Sequence, residues 1–495
     1  MTGIEFNERD FEYDVYTLVK AFYPREELRI FYEGEAEKEA EKKLCQTLLQ
    51  VLYQEGKASL FIYQAGQCSV SDAIALDCVD RKTAKNRLKQ MVYRNLAKLT
   101  GRELPWGDLT GIRPTKIAMG LIESGMSNAE AADFMRKNYY TSNEKTALAI
   151  TIANRERALL APVDYENGYS LYIGIPFCPS ICLYCSFSSY PLERWKDRVD
   201  EYLDALFMEL DFISETMKNR RLDTIYIGGG TPTTLTPEQT ERLLTHIERR
   251  FPLEQVKEFT IEAGRPDSIT REKLETVHRY PVTRISVNPQ TMNQRTLDLI
   301  GRKHSVEDIR EAFALARATG FDNINMDLIV GLPGETKDDV SCTLKEVEKL
   351  APDSLTVHSL AVKRAARLNM FKEQYQEMTF ENNQEIMDMV QECARNMGMG
   401  PYYLYRQKNM TGNLENVGYA RVDKAGIYNI LIMEERQTII AAGAGASTKL
   451  VFDRGRRIER VENVKDVTHY ITRIDEMIER KRMGIATYLQ EGEFR

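Results

Sequence analysis

The chain has 495 residues, enough for two or three domains with ample cores. It is 43% apolar and 28% charged, ordinary for a globular protein, and its net charge of -7 argues against a general nucleic-acid binder. No apolar run is long enough to span a membrane, and the N-terminus has no basic, apolar leader, so a reducing cytoplasmic setting is expected.

Residues 1–160 read as an accessory α+β region. Short β-like runs at Leu28–Tyr32 and Leu60–Tyr63 accompany helices such as Leu44–Leu52, and a mostly helical stretch runs to Leu160. Arg81, Lys82, Lys85, Arg87, Lys89, Arg94 and Lys98 precede the next acidic residue, Glu103. They read as the solvated face of a helix whose core side is Leu88, Met91, Val92 and Leu96, in preference to a polyanion-binding face. Turn chemistry at Ala161-Pro-Val-Asp-Tyr-Glu-Asn-Gly168 marks a boundary.

From 161 to 365, β-rich runs alternate with amphipathic helices: Leu171–Ile175, Thr224–Ile227, Glu258–Glu262, Val282–Val287, Asn323–Val330 and Ser354–His358. The alternation predicts parallel βα units, hence an α/β fold built as a partial (β/α)6 barrel, with chemistry gathered at the C-terminal ends of the strands. Residues 366–495 read as a mainly helical cap on the substrate side. It holds a helix with Cys393 on its apolar stripe, a tyrosine-rich stretch, a glycine run at Ala441–Ser447 and a final helix carrying Val467, Tyr470, Ile471, Ile474 and Ile478. Cys45, Cys68, Cys78 and Cys342 are scattered and read as buried free thiols.

The remaining cysteines carry the chemistry. Cys178, Cys182 and Cys185 follow the first barrel strand as C-x3-C-x2-C, a spacing that can hold three irons of a 4Fe-4S cluster and leave the fourth open to a small molecule. It is the signature of radical S-adenosylmethionine enzymes. A zinc site wants a fourth ligand, which is missing nearby, and a disulfide framework suits small secreted chains; zinc or buried thiols stay as minor alternatives.

Gly228-Gly229-Gly230-Thr231 after the second strand is either a tight turn or a loop that lets backbone pass a ligand closely. Glu262 ends the third strand as an inward carboxylate that needs a partner, such as an ammonium or ribose hydroxyls. Asp267 reads as the cap of a helix beginning near Ile269. Asn288 and Gln290 put amides at the end of the fourth strand. Arg302 and His304 can clamp a carboxylate or stand solvated at a helix start, and Asp327 is a lone acid on an apolar strand.

Taken in order from residue 170 to about 450, these segments resemble the radical S-adenosylmethionine family of oxygen-independent coproporphyrinogen III oxidases. Its relatives include a haem chaperone and haem-degrading methyltransferase-like proteins. The N-terminal region, Glu262-Ala-Gly-Arg-Pro-Asp267 and Tyr402-Tyr-Leu-Tyr-Arg406-Gln-Lys-Asn are similar to the HemZ-type coproporphyrinogen dehydrogenases. The resemblance implies that Cys178, Cys182 and Cys185 ligate a 4Fe-4S cluster and that Tyr172, Gly229 and Glu262 contact S-adenosylmethionine. It also implies that Tyr184, Gly230, Thr231, Gln290, Arg302 and Asp327 line a neighbouring site for a second S-adenosylmethionine or the substrate.

The implied activity is oxidative decarboxylation of coproporphyrinogen III propionates to vinyl groups by a 5'-deoxyadenosyl radical, fed by an external flavodoxin- or ferredoxin-like electron donor. A porphyrinogen or haem-like substrate needs cations, for which Lys363, Arg364, Arg367, Arg406 and Lys408 stand ready, and flat walls, for which Tyr402, Tyr403, Tyr405 and Tyr419 are candidates. One departure is Phe187, where the oxidase has a further cysteine; the haem-chaperone branch shares the phenylalanine. A haem-binding chaperone, or an S-adenosylmethionine-dependent haem-modifying protein of the same family, is therefore the second reading. A radical enzyme acting on RNA, hinted at only by the basic Arg81–Lys98 helix, is the third.

Overall fold

The computed structural model describes residues 1–24, 26–35, 38–76, 80–361, 382–407 and 414–493. The chain divides into two compact units, Met1–Ala153 and Asn154–Arg495. The division falls before the expected turn at 161–168, inside a continuous helix, Asn143–Leu160.

In the first unit β1 (Thr2–Phe6), α1 (Glu12–Phe22), β2 (Leu28–Tyr32), β3 (Thr47–Gln54), β4 (Lys57–Gln64) and β5 (Gln67–Ala75) build a sheet in the order β2-β1-β3-β4-β5. β1 lies parallel to β2 and β3, and β3, β4 and β5 form an antiparallel meander. The helix expected over Leu44–Leu52 is instead β3. Its buried residues alternate (Thr47, Leu49, Val51), the period of a strand that turns one face to a core. Helix α2 (Arg81–Thr100) buries Leu88, Met91, Val92 and Leu96 with Val15 and Leu18 of α1. Much of its basic face has partners within the unit: Arg81 pairs with Asp10, Lys85 with Asp14, Arg87 donates to the Ala75 carbonyl, and Lys89 is buried. Helices α3 (Thr115–Glu123), α4 (Asn128–Tyr139) and α5 (Asn143–Leu160) follow.

The second unit starts with six parallel strands, β6 (Gly168–Ile175), β7 (Arg221–Gly229), β8 (Glu258–Gly264), β9 (Arg284–Val287), β10 (Ile324–Val330) and β11 (Ser354–Ser359), each paired with the next in sequence. Sequential order of parallel strands with helices between them is the arrangement of a partial (β/α)6 barrel. The strands are nearly continuous apolar runs because both faces are covered: Leu171, Ile173, Ile175, Ile225 and Met326 are fully buried or close to it.

The sheet does not end with these six. β12 (Gly400–Tyr405) and β13 (Asn416–Ala420) extend it antiparallel beyond β11. After helix α6 (Ile427–Glu434), β14 (Thr438–Ala442) lies parallel to β6, and β15 (Ser447–Phe452) and β16 (Arg457–Glu462) continue outward. The expected final helix is two, α7 (Val467–Thr472) and α8 (Ile474–Glu493), interrupted at Arg473. Cys393 is core, as expected; Cys68 and Cys342 are exposed rather than buried, Cys45 is partly buried, and Cys78 lies outside the described residues. Among the described residues no helix is long and apolar enough to cross a membrane.

Candidate active site

The chemistry-bearing residues meet where the barrel strands end. β6 delivers the loop of Cys178, Cys182 and Cys185; β7 ends in Gly228, Gly229 and Gly230; β8 ends in Glu262 and Gly264; β9 leads to Asn288 and Gln290. Cross-strand register sets Tyr172 beside Tyr226, Gly174 beside Gly228 and Ile175 beside Gly229.

Glycine is required here by close approach. A Cβ on Gly230 would lie 2.5 Å from the Phe177 carbonyl oxygen and 3.0 Å from Cys178 Sγ; Gly229 has φ +108° and would crowd Ile175 and the Tyr172 hydroxyl. The turn or ligand loop left open by the sequence is thus a loop wedged against the cysteines. Its N–H groups at Gly230 and Thr231 bond to the Ile175 and Phe177 carbonyls (2.8 and 2.7 Å).

Two donors point at cysteine sulfur. Thr231 Oγ1 lies 3.5 Å from Cys178 Sγ, and Arg265 Nη1 lies 3.7 Å from Cys182 Sγ. The other end of the loop is tied down by Leu183 N to the Ile300 carbonyl (2.9 Å) and Ser180 Oγ to the Gly301 carbonyl (3.0 Å). Burial pushes the Cys178 thiol up to about 11 and raises Cys185. Metal loading there must expel thiol protons.

Among the described residues no three His, Cys, Asp or Glu are gathered closely enough to hold one metal ion. The donor set, the N–H and O–H groups aimed at sulfur, and the cramped glycines fit an iron–sulfur cluster.

Inside the barrel, Glu262 accepts from the Tyr226 hydroxyl (2.5 Å). Burial carries its carboxyl up to about 7; the Tyr226 hydrogen bond and Arg284 oppose this, and Asp327 adds to it. The rings of Tyr172, Tyr226 and Tyr428 stack with centroids 4.5–6.5 Å apart. Asn288 is 8% exposed, and its Oδ1 is buried with no hydrogen-bond partner, an acceptor open to a ligand.

A second set of expected residues is joined through Asn288 and the strand β10. Arg302 is buried; Nη1 donates to the Asn288 carbonyl (2.6 Å) and Nη2 to the Tyr184 hydroxyl (3.4 Å). Gln290 has φ +67°, its N–H bonds the Asp327 carbonyl, and its carbonyl accepts from Ile329 N, both at 2.9 Å. Asp327 is only partly buried and accepts from Asn325 Nδ2 (2.7 Å).

Some expectations fail here. Asp267 caps no helix: the helix starts at Arg271 with Thr270 as its cap, and the Asp267 carboxylate holds Arg265 instead. Tyr402, Tyr403 and Tyr419 are 0–4% exposed, packed in the core, and offer no flat wall to a macrocycle. Tyr405 is partly buried against His358 (3.2 Å), and Arg406 is buried. Lys363, Arg364, Arg367 and Lys408 lie outside the described residues.

The glycine run of the C-terminal region, given no role by the sequence, forms a wall of the site. A cavity of about 230 Å³ lies between Tyr172, Gly229, the Ser186–Ser188 segment and Ala444–Ala446. It is smaller than the ~300–1,000 Å³ of clefts that enclose drug-sized ligands, so it can take one end of an extended ligand. A buried network holds this wall. Glu209 accepts from Gly443 N (2.8 Å), Tyr470 Oη (2.5 Å), Asn463 Nδ2 (2.8 Å) and Lys481 Nζ (2.5 Å). No sequence pattern points to it, and only the fold shows that Gly443 must lack a Cβ, which would lie 2.5 Å from the Gly174 carbonyl oxygen.

Comparison with known proteins agrees with this geometry. Residues 172–347 match the radical SAM superfamily model. The chain is 42% identical over 404 residues to the oxygen-independent coproporphyrinogen-III oxidase-like protein HemZ of Bacillus subtilis, covering 81% of each. It is 40% identical to the heme chaperone HemW of Bacillus subtilis over 39% of this chain and 50% of that one. Among solved structures, the Escherichia coli coproporphyrinogen III oxidase HemN matches with a TM-score of 0.50 and 25% identity, over 65% of this chain and 73% of that one.

Proposed function

Since the chain belongs to the radical SAM family of oxygen-independent coproporphyrinogen-III oxidase-like proteins, we propose that it is a radical enzyme of tetrapyrrole metabolism. Its proposed reaction is oxidative decarboxylation of coproporphyrinogen III propionates. Each propionate loses one hydrogen atom, carbon dioxide and one further electron, and becomes a vinyl group. The single observation that carries this reading is the convergence of the three-cysteine loop, the Cβ-intolerant glycines and Glu262 on one edge of the barrel.

When bound, a 4Fe-4S cluster with an open iron supplies the electron that splits S-adenosylmethionine reductively. Cys178, Cys182 and Cys185 would hold three of its irons. Gly229 and Tyr172, which line the cavity, would lie along the S-adenosylmethionine, and Gly230 and Thr231 keep the cysteine loop seated. Glu262 would receive the ammonium of S-adenosylmethionine. Burial holds its carboxyl up at about 7, and a docking cation favours the charged form. Asn288 Oδ1 is free to accept from a nucleoside hydroxyl or amine. Tyr184, Gln290, Arg302 and Asp327 would bound a neighbouring site for substrate or a second S-adenosylmethionine. The reducing electron would come from an external flavodoxin- or ferredoxin-like protein.

The second reading, a haem-binding chaperone, is favoured by Phe187, which is 72% exposed at the cavity rim and offers an apolar face to a macrocycle. The RNA reading loses its support, because the basic helix spends several of its charges within its own unit. Anaerobic incubation with coproporphyrinogen III, S-adenosylmethionine and dithionite, read by mass spectrometry, tests the proposal. Loss of carbon dioxide together with 5'-deoxyadenosine supports the oxidase. Tight haem binding with neither product supports the chaperone.

A further inference from the structure

Arg265 has no part in the roles above, yet its guanidinium is buried and held in place beside the cysteine loop. The residue is 3% exposed. Nε and Nη2 fork onto Asp267 at 2.9 and 2.6 Å, which fixes the plane of the group. Nη1 is thereby aimed at the loop, where it donates to the Ser180 carbonyl (3.0 Å) and hydroxyl (2.8 Å) and reaches Cys182 Sγ at 3.7 Å. A guanidinium does not lose its proton in a protein. Its counter-ion is the more open partner, with 20% of the Asp267 side chain exposed against 4% for Arg265, so solvent weakens the neutralisation on one side only. Arg302, the other buried guanidinium here, hydrogen-bonds the loop at the Tyr184 hydroxyl and acts on Cys182 and Cys185 only through its charge.

We propose that Arg265 is a positioning residue that sets the reduction potential of the cluster held by Cys178, Cys182 and Cys185, by favouring the state with one more electron. The inference rests on the cluster assignment above. A cubane held by three thiolates is anionic, and taking one electron from a low-potential reductant adds one negative charge. A buried cation and an N–H donor at a ligand sulfur both stabilise the more negative state, and these are the levers by which proteins tune such clusters. Asp267 opposes the effect while fixing the fork in place.

The test is a redox titration of the anaerobically reconstituted full chain, without S-adenosylmethionine or tetrapyrrole, reading the reduced cluster by electron paramagnetic resonance. At the parent's midpoint, Arg265→Gln should lower the ratio of reduced to oxidised cluster about tenfold, equivalent to ~59 mV for one electron. Arg265→Lys, which keeps the charge without the fork, should lose less. Asp267→Asn should shift the other way, toward easier reduction. A change below about threefold in Arg265→Gln overturns the proposal. If that variant assembles no cluster, Asp267→Asn decides: easier reduction supports the proposal, and unchanged or harder reduction overturns it. Failure of the parent chain itself to assemble a cluster would remove the underlying assignment, a result distinct from an unshifted potential.

Discussion

Lys481→Met perturbs the network behind the cavity wall. Lys481 and Glu209 are both fully buried, with Nζ and Oε1 2.5 Å apart. The substitution leaves the carboxylate with three donors, Gly443 N, Tyr470 Oη and Asn463 Nδ2, and leaves Asn463 Oδ1 without the ammonium it accepts from. An uncompensated buried charge costs ~3–5 kcal/mol. Domain stabilities are only ~5–15 kcal/mol, so the loss should be large. Glu209→Gln should cost a similar amount by stranding the ammonium. The pair Glu209→Gln with Lys481→Met should cost less than either alone, because the new amide can face Asn463 Oδ1 and no net charge stays buried. Urea denaturation of the metal-free chain measures this, following Trp195 in a Trp106→Phe background so that the signal comes from the unit that carries the pair. Single losses under ~1 kcal/mol, or a double loss equal to the sum of the two, would refute the reasoning.

The pH dependence of Glu262 follows from its burial. Between about pH 4.5 and 7 the folded chain keeps a proton that the unfolded chain has released, so this group subtracts stability as pH rises, by roughly 3 kcal/mol in all. Glu262→Gln should therefore match the parent below pH 4.5 and gain on it up to pH 7.5; an advantage independent of pH contradicts the assignment. Gly230→Ala drives a methyl into the Phe177 carbonyl and Cys178 Sγ, and should at least halve the iron retained after reconstitution, while Gly120→Ala, with nothing within 4 Å, should retain the parent's amount. Phe187→Ser, at the exposed cavity rim, should leave cluster content unchanged and weaken haem affinity if the chaperone reading holds; unchanged affinity removes that reading's structural support.

The barrel was legible because its strands are apolar runs separated by amphipathic helices, and each run expected between 171 and 358 coincides with a strand to within a few residues. The Leu44–Leu52 stretch misled because Leu44, Leu48 and Leu52 repeat every four residues as on a helix, whereas sheet pairing on both sides selects the alternate set Thr47, Leu49 and Val51 for burial. The pairing of Thr438–Ala442 with Gly168–Ile175 leaves no local trace, being set by contacts across most of the unit. In the candidate site, the cysteine spacing and the inward Glu262 stand out in the sequence, whereas the glycine triad alone reads as well as a tight turn. Arg265, Glu209 and Lys481 do not stand out, because an isolated charge in sequence reads as solvated. What sets them apart is burial, which only the fold reveals.

The most direct test of the central claim is iron and sulfide content of the anaerobically reconstituted chain, combined with the electron paramagnetic resonance spectrum of the reduced cluster before and after S-adenosylmethionine. The account predicts about four irons and four sulfides per chain, a spectrum altered by S-adenosylmethionine, and loss of both on replacing Cys178, Cys182 or Cys185 with Ala. A cluster that survives those replacements, or a spectrum indifferent to S-adenosylmethionine, would contradict it.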